Sequence, residues 1–558
     1  VYQQVIDPVG SSLGWSALVA ALPLLVLFVL LGVARVRAWL AALIGLALSL
    51  VVAVGVYGMP SGQALNSAAE GAAFGLFPAM WIVVNALWIY QMTVASGHFD
   101  VLRRSFARLS DDRRVQGVLI AFCFGALLEA LAGFGAPVAI CAVMLVAIGL
   151  KPVKAATVAL VANTAPVAYG AVGLPVITLA RVTGLPLDDL SAMTGRQVPL
   201  LALFVPMALL VLLDGRRGLR EAWPAALVCG SSFAVTQFLM ANYGPVELTD
   251  IVAALVSAAA VLLLLRVWRP APHGEQDTVP HGETAPATDT VDPVGGGVAV
   301  RTRTPTRHRP PDTRVEVVRA FAPYAVIVLL FSVVSIPAVA RALETTTTFF
   351  SWPGLHVVDA NGEPLGLLRF TFDWLASGGT VLLAAGVVTA AVLKIPVRGA
   401  AMAYGRTLHQ LRTAAVTVTG VLALAYVMNI SGQTSTMGAF LAGAGGLFPL
   451  LSGLLGWFGT AVTGSDTSSN SLFGALQASA AEGSGHPPVL TAAANTAGGA
   501  LGKMISPQNL AIGASAVGLA GQEGALFRKV LAATAIFVPF LCLLVYLQST
   551  PVLAWMVP

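Results

Sequence analysis

The sequence predicts an all-α polytopic membrane protein built as two inverted repeats, and three observations carry that expectation. Of 558 residues, 57% are hydrophobic and only 10% are charged, mean hydropathy is +0.83, and soluble domains typically carry about 25% charged residues. One stretch occurs twice: Gly133 recurs as Gly464 and, with one position inserted, Asn163 and Pro175 recur as Asn495 and Pro507. Basic residues fall in short clusters between apolar runs, the distribution of cytoplasmic loops.

A spanning helix needs roughly 20 mostly apolar residues. Residues 13–33 and 38–58 qualify, and Arg35 and Arg37 between them put that loop inside and the N-terminus outside. The span 72–96 returns to a basic loop holding Arg103, Arg104, Arg108, Arg113 and Arg114. Residues 115–149 are apolar but interrupted at Gly133-Phe-Gly-Ala-Pro137 and end at Lys151 and Lys154. Each arm, at ~25 Å of helix, is short for a full crossing, so the segment reads as a re-entrant hairpin entered from the cytoplasm. Residues 155–180 form a broken helix interrupted from Asn163 to Pro175, 197–213 return to Arg216, Arg217 and Arg220, and spans at 222–241 and 249–266 close a first half of 1–266.

Residues 267–318, dominated by Pro, Thr, His, Gly, Asp and Arg, read as a disordered cytoplasmic linker. Its basic end suits anionic lipid headgroups. The second half, 319–558, begins with a span at 320–341 and an outer loop at 342–375, followed by spans at 376–393 and 413–431. The second hairpin, 446–480, is therefore entered from outside, and the broken helix 488–520 and a last span, 530–548, follow it. The count is about 12 spans plus two hairpins, with both termini outside. The N-terminus lacks the pattern of a cleaved signal peptide. Inverted repeats with broken helices are how many secondary transporters alternate access around a central site.

Composition also excludes classes. Cys123, Cys141, Cys229 and Cys542 lie in apolar runs without CxxC spacing, against a disulfide framework or zinc site. The net charge of +5 is spread over loop clusters, so no nucleic-acid partner is expected. An intramembrane hydrolase would need a second Asp beside Asp466 or a Ser–His pair at depth, and all seven histidines lie in loops or at span ends. A channel fits two closed hairpins less well than alternating access does. The chain reads as a transporter, not an enzyme, and needs no cofactor beyond a coupling ion.

The hairpin tips are the first candidate site. Gly464-Ser-Asp-Thr-Ser-Ser-Asn470 places polar side chains at membrane depth, where each unsatisfied group costs several kcal/mol. A helix restarting there would aim free N–H groups and a positive dipole end into the site, with Ser465, Thr467 or Ser468 capping it or meeting an anion. At the first tip Gly133 and Gly135 expose bare backbone and Pro137 suits a first helical turn. Asn163 and Thr164, matched by Asn495 and Thr496, can bind a carboxylate and a hydroxyl or can tie down backbone freed by the breaks. Lys503, aligned with Ala171, lies mid-span, where a lysine is costly unless paired, so it binds a substrate carboxylate or pairs with Asp466 or Glu129. Glu129 and Asp466 are the candidates for proton coupling, since burial favours the neutral acid. Glu70, His98 and His486 read as ordinary groups near span ends.

At Glu129-Ala-Leu-Ala-Gly-Phe-Gly-Ala-Pro-Val138, Asn163-Thr-Ala-Pro-Val-Ala-Tyr-Gly170, Thr463-Gly-Ser-Asp-Thr-Ser-Ser-Asn470 and Lys503-Met-Ile-Ser-Pro-Gln-Asn509 the chain resembles the bacterial lactate permease family, which includes glycolate permeases. The resemblance covers nearly the whole chain except 267–318, a stretch longer than is usual in that family. It implies proton-coupled uptake of L-lactate, and often D-lactate and glycolate, across the cytoplasmic membrane, and kinship with elevator-type folds that use re-entrant hairpins. The expected partners are a small 2-hydroxy monocarboxylate and membrane lipids, in a monomer or homodimer. A sodium-coupled carboxylate transporter is the nearest alternative, because unwound carbonyls can coordinate a cation.

Overall fold

The computed structural model describes residues 1–107, 109–110, 112–133, 135–268, 270 and 312–558. Among them ten helices are long and apolar enough to cross a membrane, which makes the chain an all-α polytopic membrane protein apart from two small surface sheets. The expected count is about twelve besides the two hairpins, whereas two of these ten, Arg113–Leu131 and Gly445–Thr463, are hairpin arms. The difference lies partly in Leu187–Tyr243, where spans expected at 197–213 and 222–241 run together as 57 residues. Asp214 and Gly215 (φ 62°) break its helical geometry and fold it back on the basic loop. Gly378–Val392, with 15 residues, falls short of a full span by length.

Several boundaries move for local reasons. The helix expected at 72–96 begins at Ser61, and the non-helical Phe77 before Pro78 bends it between Ser61–Phe74 and Trp81–Ala95. Most of the linker expected at 267–318 lies outside the described residues, but its last part is helical. Thr313 and Glu316 form a reciprocal capping box that starts the helix Arg314–Val334. Arg104 clamps this entrance, donating from Nε (2.8 Å) and Nη2 (2.6 Å) to the two carboxylate oxygens of Asp312. At the opposite end of the fold Tyr2–Gln3 pairs in parallel with Val357–Val358, and Thr348–Ser351 pairs antiparallel with Arg369–Phe372. The N-terminal segment and the loop 342–375, both expected outside, thus share one face of the molecule.

Each half contains a helical hairpin followed by a broken helix. The first hairpin climbs through Arg113–Val118, Leu119–Phe124 and Gly125–Ala132, has Gly133 and Gly135 at its tip, and descends as Ala136–Ala147. Gly135 takes a left-handed conformation (φ 83°) and a proline follows in the first helical turn. The second hairpin is Phe448–Thr463, a left-handed Gly464 (φ 76°), and Asp466–Gly483. The first broken helix is Pro152–Ala162 and Gly170–Thr183, and the second is Pro488–Gly502 and Pro507–Ala516.

The halves are cross-braced. The far piece of the first broken helix, Gly170–Thr183, packs on the second hairpin arm Asp466–Gly483, and the far piece of the second, Pro507–Ala516, packs on the first hairpin arm Ala136–Ala147. Within the second half, Phe448–Thr463 and Pro488–Gly502 approach backbone to backbone. A Cβ at Gly456 would strike the carbonyl group of Asn495, one at Gly498 that of Gly453, and one at Gly502 that of Trp457. Small residues allow such approach in membranes, where van der Waals packing supplies much of the helix association.

Candidate functional site

Three helix N-termini converge where the hairpin tips meet. The first is that of Ala136–Ala147, behind Gly135. The second is that of Asp466–Gly483, capped by the Ser465 hydroxyl accepting from the Ser468 N–H at 3.3 Å. The third is that of Pro507–Ala516, capped by the Ser506 hydroxyl accepting from the Asn509 N–H at 3.3 Å. Both tips lean on this third turn: a Cβ on Gly135 would lie 3.3 Å from Asn509 Oδ1, and one on Gly464 would lie 3.2 Å from Gln508 Cβ. Unpaired N–H groups and aligned peptide dipoles make such a junction favourable for an anion. Pro507 is exposed and Ser465, Thr467 and Gln508 are half-buried, so solvent reaches the junction.

Below the tips lies a buried charge cluster. Glu129 and Lys503 form an ion pair through Oε1 and Nζ, and both are nearly inaccessible. Asn163 donates from Nδ2 to the other Glu129 oxygen, Oε2, at 2.9 Å. Glycines make room: a Cβ on Gly133 would sit 3.2 Å, and one on Gly170 3.1 Å, from Glu129 Oε1. Of the alternatives open for Lys503, this conformation takes the pair with Glu129. Asp466 stands across the junction, within electrostatic reach of Lys503. Thr460 donates to its Oδ1 at 3.5 Å, while Oδ2 is buried without a hydrogen-bond partner.

The remaining expected residues divide. Thr164 donates back to its own helix at the Val161 carbonyl (2.8 Å) and so caps the break. Asn495 and Thr496 lie inside Pro488–Gly502, not at an interruption, which corrects the expected match with Asn163 and Thr164. The first copy breaks at Asn163 because Pro166 lacks an N–H, whereas Gly498-Gly-Ala-Leu-Gly502 keeps its ladder until Lys503. Asn495 donates to Asn470 Oδ1 (2.8 Å) and accepts from Gln477 (2.8 Å), Thr496 donates to Asn470 Oδ1 (3.1 Å), and Asn470 donates to the Pro175 carbonyl (2.9 Å). These side chains brace the second hairpin and the first broken helix.

The first break is strained. Ala171, Val172 and Gly173 are consecutively left-handed at φ 44°, 60° and 76°, and a β-branched residue held there costs of order 1–3 kcal/mol. Tyr169, donating to the Ser191 carbonyl at 2.8 Å, and Gln237, donating to the Ala165 carbonyl at 3.3 Å and to Asp250 Oδ1 at 2.8 Å, hold the segment. Asp250 and Gln237 escape sequence reading because each lies in an unremarkable span. Ser506 and Pro507 carried a legible start signal, serine before proline, for a helix whose break was expected elsewhere. Glu70 is a correction: it is fully buried in Ser61–Phe74, not a surface group, because that helix starts well before the expected span.

The L-lactate permease family model matches residues 16–552. An L-lactate permease of Bacillus subtilis is 39% identical over the full length of both chains. A glycolate permease, GlcA, of Escherichia coli is 40% identical over 98% of each, and an L-lactate permease of the same species is 38% identical over the full length of both. Among solved structures, the MtrF efflux pump of Neisseria gonorrhoeae covers 87% of this chain and 83% of its own at 13% identity with a TM-score of 0.45, a likeness too loose to bear on the fold.

Proposed function

This chain belongs to the L-lactate permease family, and from that premise we propose that it imports L-lactate, and with it D-lactate and glycolate, together with a proton across the cytoplasmic membrane. The observation that carries the reading is the buried Glu129–Lys503 pair beneath three converging helix N-termini. The substrate carboxylate takes Lys503 and the N-terminal N–H groups, and its hydroxyl meets Asn163 or a tip hydroxyl such as Thr467 or Ser468. Glu129, displaced from Lys503, is left as an unpaired buried charge that costs several kcal/mol unless it takes up a proton. The empty site is Lys503⁺ with Glu129⁻, and the loaded site is Lys503⁺ with lactate⁻ and protonated Glu129, so the unit that moves is neutral in both states.

Asp466 is the second candidate for the coupled proton, and the observation favouring it is its unpartnered, buried Oδ2. Reciprocal packing of each broken helix on the other half's hairpin supports reading the halves as inverted repeats with re-entrant hairpins, with both termini outside and an elevator-like exchange between two mirror-related states. Proteoliposomes under imposed gradients test the coupling. An inward proton gradient is expected to drive lactate accumulation without sodium, and accumulation driven by sodium alone would overturn it.

A further inference from the structure

A further buried acid lies outside the mechanism above. Glu70 is fully buried on Ser61–Phe74, and neither of its carboxyl oxygens has a hydrogen-bond partner. One helical turn on, Phe74 stacks with Tyr426 of Val397–Ser431 at 6.2 Å between ring centroids. The Arg181 guanidinium lies over the same Phe74 ring, 5.7 Å from its centroid, donates from Nε to the Tyr426 hydroxyl at 3.2 Å, and donates from Nη2 to the Arg369 carbonyl at 2.9 Å. Residues four apart share a helix face, so Glu70 and the cation are neighbours across this interface, and among the described residues neither Glu70 oxygen accepts a hydrogen bond from it. The charged and titratable groups that face Glu70 are Arg181 and Tyr426, with Asp373 acting on Arg181 from beyond. Ala38–Gly55, which also packs on Ser61–Phe74, carries no titratable side chain.

Arg181 belongs to Gly170–Thr183, the far piece of the first broken helix, whereas its partners belong to Ser61–Phe74, Val397–Ser431 and the loop 342–375. An isolated buried carboxylate is too costly to persist, so the acid stays neutral where it has no partner. We propose that Glu70 is a proton-controlled positioning residue: neutral in this conformation, it ionises onto Arg181 and then fastens the broken helix to Ser61–Phe74. Protonation frees the broken helix to move, and ionisation holds it. The inference rests on the transport reading, and its test separates the two.

The test is lactate counterflow in proteoliposomes at equal pH on both sides, where no net proton movement is required. Wild-type exchange is expected to slow as pH rises; Glu70→Gln is expected to keep only the part of that slowing set by Glu129 and so to exchange several-fold faster than wild type at high pH, and Arg181→Gln, which leaves an ionised Glu70 nothing to fasten onto, is expected to do the same. Glu70→Gln is expected to keep accumulation driven by a proton gradient, because that depends on Glu129. A Glu70→Gln profile superimposable on wild type overturns the proposal while leaving the transport reading standing, and absence of gradient-driven accumulation in wild type overturns the transport reading itself. If Glu70→Gln fails to fold, Arg181→Gln decides alone: a pH profile superimposable on wild type refutes the proposal.

Discussion

Lys503 is the residue on which the site's chemistry turns, since it is the cation paired with Glu129 beneath the tips and lies within reach of Asp466. Removing one partner of a buried, hydrogen-bonded pair costs about 2 kcal/mol or more, so Lys503→Gln is expected to weaken lactate binding roughly thirtyfold or more. Isothermal titration in detergent checks this, and unchanged affinity would place the substrate elsewhere. Asp112 gives a stability prediction away from the site. Its carboxylate caps Arg113–Val118, accepting from the Arg114 N–H at 2.8 Å, and pairs with the Arg114 guanidinium at 2.8 Å. Burial alone would push this carboxyl up, but the Arg114 guanidinium and the backbone N–H groups of Arg114 and Val115 outweigh it and hold it below the usual aspartate range. A lowered folded-state value contributes stability above the unfolded value that is lost as pH falls through the folded one. Asp112→Ala is therefore expected to cost about 1 kcal/mol at neutral pH from the lost cap. Its thermal-unfolding deficit should shrink as pH falls from the ordinary aspartate value through the lowered folded-state one, where the wild-type carboxylate finally protonates.

At the scale of elements, the second hairpin and the second broken helix form a unit through glycine. Gly456→Ala would drive a methyl into the Asn495 carbonyl group and Gly498→Ala one into that of Gly453. Overpacking of this kind typically costs about 1–3 kcal/mol. Either change is expected to lower the thermal midpoint of the purified protein, while Gly55→Ala, with open space around it, should not. Equal midpoints would mean that these helices do not pack as described. The hairpins and their tips are legible in the sequence because Gly133, Gly135, Pro137 and Gly464 cannot continue a helix comfortably and interrupt otherwise unbroken apolar runs. Ser465 is legible as a cap for the same reason. The position of the second break is not, because the repeat aligns Asn495 with Asn163 while only the first copy has a proline, Pro166, in the following positions. Glu70 and Asp250 are illegible too: each stands near the edge of an apolar run, and only packing decides whether an edge is buried.

Over the whole molecule, the two halves meet by exchange, each broken helix resting on the other half's hairpin and both tips resting on one helical turn at Pro507–Ala516. That arrangement places Lys503 and Glu129 in one buried volume beneath the tips, which is what the proposed joint binding of substrate and proton requires. The repeat and the basic loops predict the pairing of halves but not this cross-bracing, since contacts between residues some 300 apart leave no trace in periodicity. The Arg114 cluster ties the arrangement together, reaching Asp214 at 3.4 Å and Glu221 at 2.6 Å beside the Asp214–Gly215 break. Proton movement measured alongside lactate uptake, with a trapped pH dye in proteoliposomes, tests the central claim most directly. Glu129→Gln is expected to exchange lactate without moving protons while Asp466→Asn still moves them, and proton movement undiminished in Glu129→Gln would contradict the account.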